Sequence, residues 1–243
     1  MKAVALLSGG LDSTTLAYYL RSKYDAELTC LSFDYGQRHK RELRAAKEIA
    51  EELGAEHHTV ELRVQVPPLE HLVTKGLGYI LGGSALTDES VPVPDGHYAE
   101  ESMKQTIVPN RNAIMLSIAY GVAVARGAEM VAFAAHSGDH AIYPDCRPEF
   151  VEYLNLALRT GNTWATPQPD LVGPFLHMTK SDIAGMARDL AVPIERTWSC
   201  YKGEEYHCGV CGTCYERREA FEEAGIVDPT YYVDNTTRFA APS

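Results

Sequence analysis

The sequence predicts an α/β protein built on a doubly wound parallel sheet, with a four-cysteine module near its carboxyl end. Three observations lead there. The apolar runs at 4–7, 28–33 and 130–135 lack the alternation of a half-solvated strand, which is the pattern of strands covered on both faces. Helical patterns lie between these runs, and strand–helix alternation implies a parallel sheet with crossover helices. Four of the six cysteines fall within the 15 residues from Cys200 to Cys214. In a chain without an export signal, that crowding suits a metal site better than disulfides.

The elements follow in order. Run 4–7 is the first strand; it is too short for a signal peptide and is cut off by Ser8-Gly9-Gly10. Run 28–33 is the second strand. Over 40–53, Leu43, Ala46, Ile49 and Leu53 share one helical face, and Gly54 follows as a stop signal. Residues 63–108 break the rhythm with Pro67-Pro68, Gly76, Gly78, Gly82-Gly83, Pro92, Pro94 and Gly96. This stretch reads as an insertion near the active site or at a subunit interface, with a plain surface loop as the alternative. Residues 112–125 are apolar nearly all round and predict a deeply buried helix. Further helices are expected at 149–159 and at 181–190, the second carrying a core stripe of Ile183, Met186, Ala187 and Leu190. Residues 197–224 form the metal-binding module and 234–243 a tail. Residues 1–243 thus read as a single domain.

Composition narrows the function. The formal net charge is −11 over 243 residues, and nucleic-acid affinity comes mostly from Lys and Arg neutralising phosphates. No nucleic-acid partner is therefore expected. No apolar run approaches the ~18 residues of a membrane span, so the expected location is the cytoplasm.

Ser8-Gly9-Gly10-Leu11-Asp12-Ser13-Thr14 follows a predicted strand and opens a predicted helix. Glycines permit a tight turn and close approach of backbone to ligand. Successive N–H groups and the helix dipole offer positive potential to a phosphate, and the hydroxyls of Ser8, Ser13 and Thr14 can donate to its oxygens. Leu7, Ser8, Gly9, Gly10, Leu11, Asp12, Ser13, Thr14 and Thr15 are thus candidate nucleotide-binding residues. Asp12 would repel a bare anion, so it holds Mg²⁺ or orders the loop. No lysine follows the glycines, which separates this loop from the G-x-x-x-x-G-K-[ST] pattern. It resembles instead the S-G-G-x-D-S signature of the PP-loop ATP pyrophosphatases, whose fold is adenine nucleotide alpha hydrolase-like. That resemblance implies attack at the α-phosphate of ATP, an adenylated oxygen and release of pyrophosphate.

Cys208-x₂-Cys211-x₂-Cys214 has Cys200 eight positions upstream. Four thiolates close a tetrahedral site without an open position, the arrangement of structural Zn²⁺. Gly209 and Gly212 permit the tight turns such a site needs. The rival reading is a [4Fe–4S] cluster, but ferredoxins continue with a further C-x₃-C-P, and Cys214 is the last cysteine. Cys30 reads as a core residue, and Trp198 as packing beside the module.

The two motifs together resemble those of the 7-cyano-7-deazaguanine synthases. Other segments agree: Phe33-Asp34-Tyr35-Gly36-Gln37-Arg38-His39, Ser84-Ala85-Leu86-Thr87, Val108-Pro109-Asn110-Arg111-Asn112, Gly138-Asp139, Tyr143-Pro144-Asp145-Cys146-Arg147-Pro148-Glu149-Phe150, Thr179-Lys180 and Thr197-Trp198-Ser199-Cys200-Tyr201. The resemblance runs from residue 4 to about residue 232. There are two departures. Asn110 stands where the family usually has glycine, and Asn tolerates left-handed backbone better than most residues. Ala134-Ala135 stands where a glycine pair or Gly-Val is usual.

The resemblance implies 7-carboxy-7-deazaguanine and ammonia as substrates, ATP consumed in two adenylations, and a homodimer. Activating an acid at a phosphate calls for concentrated positive charge. Thr179-x-x-Asp182 resembles a capping box, which puts Lys180 in a first helical turn. A cation there opposes the helix dipole by roughly 0.3–1 kcal/mol unless an anionic ligand sits nearby. Lys180, Arg111 and Asp139 are the candidate catalytic residues, and Arg38 is a further candidate clamp on the nucleotide. His136, Asp145 and Asn112 are candidate substrate-binding residues. Asp139 and Asp145 would hold Mg²⁺ or the purine-like edge of the substrate; His136 suits acid–base work or a structural role. Cys146, between Asp145 and Arg147, leaves open the persulfide chemistry of tRNA-thiolating PP-loop enzymes, against which the acidic composition counts.

Overall fold

The structure is a computed structural model and describes residues 1–38, 40–66, 73–98, 101–202 and 205–235. Along the chain run β1 (Lys2–Leu6), α1 (Leu11–Tyr24), β2 (Glu27–Asp34), α2 (Arg41–Glu52), β3 (Glu56–Glu61), β4 (Arg63–Val66), β5 (Val73–Gly76), α3 (Leu77–Leu81) and α4 (Arg111–Arg126). Then come β6 (Met130–Ala132), α5 (Pro148–Gly161), β7 (Asp170–Val172), α6 (Lys180–Asp189) and α7 (Gly212–Glu223).

Five strands pair in the order β3-β2-β1-β6-β7, and every pairing among them is parallel. The sheet is doubly wound, as its sequence predicts. From β1 the chain steps outward to β2 and β3, then returns to place β6 on the other side of β1. The carboxyl ends of β1 and β6 therefore face a crevice at the point where the winding reverses, the usual ligand position in such sheets.

Each sheet face has its own core. Val4, Leu31, Phe33, Val131 and Leu171 pack on one side with Leu116, Tyr120 and Ala123 of α4 and Val151 of α5. Ala3, Ala5, Leu28 and Cys30 pack on the other with Leu16, Ala17 and Leu20 of α1, Ala46 and Ile49 of α2, and Ile183 of α6. The parity of the strand residues decides which core they join, as the two-residue repeat of a strand requires. Burying each large aliphatic side chain here contributes about 1.5–3 kcal/mol. Burial also pushes the Cys30 thiol up to about 12, as suits a core residue.

Three expectations shift. The apolar run 130–135 forms a strand only over its first three residues; from Phe133 on, the chain turns into the crevice. Helix α4 is not buried all round: Ser117, Gly121 and Ala125 face outward, because only one side meets the sheet. In α2 the buried stripe is Ala45, Ala46, Ile49 and Ala50, with Leu43 and Leu53 half-buried. The stretch 63–108 contains the antiparallel β4–β5 ribbon, α3 and a 3₁₀ turn, Glu101–Thr106. Gly36 and Gly76 cross here so closely that a Cβ on Gly76 would lie 2.3 Å from the Gly36 Cα. Pro67 and Pro68, His39, and the tail beyond residue 235 lie outside the described residues.

Candidate active site

The loop after β1 is shaped by one close approach. Gly9 has φ +82°, and a Cβ there would meet Glu42 O at 2.3 Å and Ala46 N at 2.7 Å. Only glycine lets the loop lie against the first turns of α2. The Ser13 hydroxyl accepts from Ser8 N at 3.1 Å and lies 3.0 Å from Ser8 Oγ, which closes the turn. Thr14 N donates to Gly10 O at 3.0 Å and starts α1. Leu7, Ser8, Gly10, Leu11, Asp12 and Ser13 line the crevice. Thr14 and Thr15 are fully buried behind it, and Thr15 donates to Leu11 O.

Lys180 reaches the loop from α6. Thr179 and Asp182 form a reciprocal capping box, which fixes the first turn of the helix and aims the lysine inward. Its ammonium donates to Asp12 Oδ2 at 2.5 Å and lies 3.4 Å from Glu216 Oε2 of α7. Burial opposes the lysine's charge, but Asp12, Glu216 and Asp139 outweigh it and hold its pKa above the usual lysine range. Burial likewise raises the Asp12 carboxyl, and Lys180 more than offsets this, leaving it below the usual value. Burial raises Glu216, and there Lys180 does not fully compensate. Asp12 Oδ1 is buried and accepts no hydrogen bond among the described residues.

The crevice opens to solvent and has a cavity volume of about 260 Å³. Arg111, at the first position of α4, projects into it. Its guanidinium carries five donors, and among the described residues its hydrogen bond is a long one, 3.5 Å to the Tyr35 hydroxyl. Tyr35 and Tyr143 flank it, each ring 6.0 Å from the guanidinium carbon. Asn112 also lines the crevice. Its backbone N–H donates to Asp145 Oδ2 at 3.1 Å, and its side chain donates to Asp145 O and Cys146 Sγ. Asp145 thus satisfies a free N–H at the start of α4 and stands behind the wall. Asp139 lines the crevice, accepting from Tyr98 Oη and from His136 N. His136 is 1% exposed, with Nε2 3.7 Å from both Asp139 and Glu216, so it braces carboxylates from beneath.

A protein-family comparison matches residues 2–225 to the family described as Queuosine biosynthesis protein QueC. The chain belongs to the QueC family. It is 52% identical over 236 residues to a 7-cyano-7-deazaguanine synthase of Brucella ovis, covering 96% of this chain and 94% of that one. With the synthase of Brucella anthropi it shares 51% identity over 238 residues, again across 96% and 94% of the two chains. Among solved structures, a predicted subunit of tRNA methyltransferase from Methanocaldococcus jannaschii aligns with 97% of this chain and 94% of that one, at 16% identity and a TM-score of 0.48.

In this QueC-family chain the cysteine module adjoins the crevice. Cys200, Cys208, Cys211 and Cys214 are buried, and their sulfurs all lie within 4.8 Å of one another. Cys208 N and Cys211 N point at Cys200 Sγ and Cys208 Sγ, at 3.5 and 3.3 Å. A buried all-sulfur quartet with amide donors to the sulfurs fits a tetrahedral metal ion. Trp198 N donates to Gly9 O at 2.8 Å, so the module is bonded to the loop after β1 itself. Trp198 also stacks on His207, ring centroids 4.2 Å apart. Burial lowers the His207 pKa to about 4, and its neutral Nε2 accepts from Ser199 N.

Arg38 is not brought to the crevice. It is exposed, and its guanidinium donates to the carbonyls of Ala85 and Val91, tying down the 84–91 segment. Sequence reasoning missed Glu216, Glu42 and the tyrosines Tyr35, Tyr98 and Tyr201, all of which line the crevice. Tyr35 and Tyr201 fall inside the family-like motifs, a signal that was present; Glu42 and Glu216 sit among other charged helix residues without one.

Proposed function

We propose that this chain is an ATP-dependent 7-cyano-7-deazaguanine synthase of the queuosine pathway, converting 7-carboxy-7-deazaguanine and ammonia to the nitrile through adenylated acid and amide. One observation carries the reading: the serine-glycine loop, Lys180 and the scarcely bonded Arg111 fork all open into one crevice. Family membership supports the overall conversion.

The acid's carboxylate docks on Arg111, and the ATP phosphates on loop 8–13, with Lys180 between them. A carboxylate oxygen attacks the α-phosphorus, and pyrophosphate leaves as its bond breaks. Charge developing on the α-phosphate oxygens meets the Lys180 ammonium and the loop N–H groups, already in place. Ammonia then attacks the acyl carbon, AMP leaves, and a proton is lost to give the amide. In the second round the amide oxygen attacks a new α-phosphorus, and a second pyrophosphate leaves as its bond breaks. Loss of the nitrogen-bound protons and of AMP leaves the carbon–nitrogen triple bond. Asp139 and Asn112 lie on the wall beside this path, and Asp145 and His136 hold them in position.

Mg²⁺ would be held at Asp12 Oδ1, whose lone pairs find no donor among the described residues, and would neutralise phosphate charge. The cysteine quartet would hold Zn²⁺ in a structural role. The enzyme would work in the cytoplasm and, as the resemblance implies, as a homodimer.

The decisive experiment incubates the protein with the acid, ATP, Mg²⁺ and ¹⁵N-ammonium and weighs the product. A nitrile carrying ¹⁵N, with AMP and pyrophosphate formed in step, supports the reading. An amide that never becomes nitrile would remove the second activation; no AMP at all would refute the proposal.

A further inference from the structure

Among the described residues four carboxylates line the crevice: Asp12, Glu42, Asp139 and Glu216. Three are already committed. Asp12 and Glu216 share Lys180, and Asp139 accepts from the His136 N–H and the Tyr98 hydroxyl. Glu42 is different. Among the described residues its hydrogen-bond donor is the Gln37 amide alone, Nε2 to Oε1 at 3.1 Å, so no donor among them reaches Oε2, while Glu42 itself lines the crevice.

Gln37 cannot turn away. It is 3% exposed; its Nε2 also donates to Phe33 O at 2.9 Å, and its Oε1 accepts from Tyr35 N at 2.9 Å. With both its N–H directions committed, the amide fixes where the Glu42 carboxyl points. Burial pushes that carboxyl up to about 7, against the pull of Gln37 and Arg111. Burial makes an ionised Glu42 costly, and a ligand that brings hydrogen-bond donors removes the cost.

The donors need a particular form. A carboxylate offers two acceptor oxygens side by side and pairs best with two parallel N–H groups. A metal cation at the same place would meet the nearby positive charge of Arg111. Adenine presents one amino group next to an acceptor nitrogen, which a carboxylate would repel. The pyrimidinone edge of a 7-deazaguanine presents its N1–H and 2-amino group together.

We propose that Glu42, positioned by Gln37, is the specificity residue that reads the N1–H and 2-amino edge of the deazaguanine ring while the ring's carboxylate faces Arg111 and Lys180. This rests on the function proposed above. Selection then works by penalty: a ring lacking the 2-amino group leaves a buried carboxylate oxygen unpaired, which discriminates more strongly than a lost apolar contact.

The test compares wild type with Glu42→Gln on two substrates, 7-carboxy-7-deazaguanine and its analogue lacking the 2-amino group. Glu42→Gln should raise the KM for the natural acid roughly ten- to hundredfold and leave the KM for ATP within about twofold. On the 2-deamino acid, which keeps the N1–H but not the 2-amino group, Glu42→Gln should raise the KM by a clearly smaller factor, less than about tenfold. A raised KM for ATP with the acid unaffected would assign Glu42 to the adenine and overturn the proposal. An equal loss on both acids would make Glu42 a structural residue and would overturn it equally. Nitrile formation by wild type checks the functional reading separately. Should that fail, calorimetric titration of both acids into wild type and Glu42→Gln without ATP still decides the Glu42 assignment by the same comparison.

Discussion

Replacing Lys180 by methionine keeps the length of the side chain and removes its charge, and two separate losses should follow. The first is catalytic. An ammonium lying among Asp12, Glu216 and the phosphate loop is in place before the transition state forms, and deleting one such preorganised donor costs about 10²–10³ in kcat. The second is structural. Asp12 Oδ2 and Glu216 Oε2 lie 2.5 and 3.4 Å from the ammonium, with side chains only 22% and 11% exposed. Breaking a buried pair while leaving its partner charged costs about 3–5 kcal/mol. At about 2–4 °C per kcal/mol for a chain of this size, the melting temperature should fall by roughly 10 °C.

The sign of the pH effect sharpens this test. Lys180 holds the folded-state pKa of Asp12 below the unfolded value. In the wild type that stability is present above about pH 4 and lost as pH falls through the depressed value. Without the ammonium, burial raises the Asp12 carboxyl instead, and the sign inverts: the variant gains stability as pH falls from about 7 toward about 5. Thermal melts across this range, with pyrophosphate release measured alongside, read both losses. A Lys180→Met protein that melts like the wild type at neutral pH and releases pyrophosphate within about tenfold of its rate would refute the reasoning.

Other outcomes follow from the same geometry. Arg217 is fully buried and pairs with Asp228 at 3.2 Å; burial raises that carboxyl, but Arg217 and the Tyr232 hydroxyl hold it below the usual aspartate value. Asp228→Asn should therefore cost about 3–5 kcal/mol in denaturant titrations at neutral pH, and its deficit should shrink below about pH 4, where the wild type loses the same contribution. Cys211→Ser should abolish bound metal in elemental analysis and change the emission of Trp198, whose indole N–H donates to Cys200 O. Asn110 has φ +54°, so Asn110→Ala should cost about 1–2 kcal/mol while Asn110→Gly melts close to wild type.

What was legible in the sequence was local. The loop after β1 and the cysteine spacing are contiguous signals in which neighbouring residues share one task, and the capping box at Thr179 pointed Lys180 correctly into a first turn. The rest depends on contacts that spacing does not record. Lys180 and Asp12 are 168 positions apart, and what completes their cluster is Glu216, a glutamate in a helix that also carries Glu219, Glu222 and Glu223. Arg38 and Arg111 look alike as isolated arginines, yet the fold turns one to loop carbonyls and the other to the crevice. Asp145 sits in a distinctive motif because it closes the start of α4, a duty the motif alone does not distinguish from touching substrate.

The backbone hydrogen bond between the cysteine module and the phosphate loop is more than a tether. Trp198 N holds Gly9 O two residues before Cys200, and Glu216 holds Lys180 two residues after Cys214. An ion held by those sulfurs would thus bear on both sides of the crevice at once. Thermodynamic reciprocity then applies. By whatever factor metal loading tightens the hold on ATP, bound ATP must tighten the hold on the metal, so a metal-starved cell would lose this enzyme first where its nucleotide is scarce.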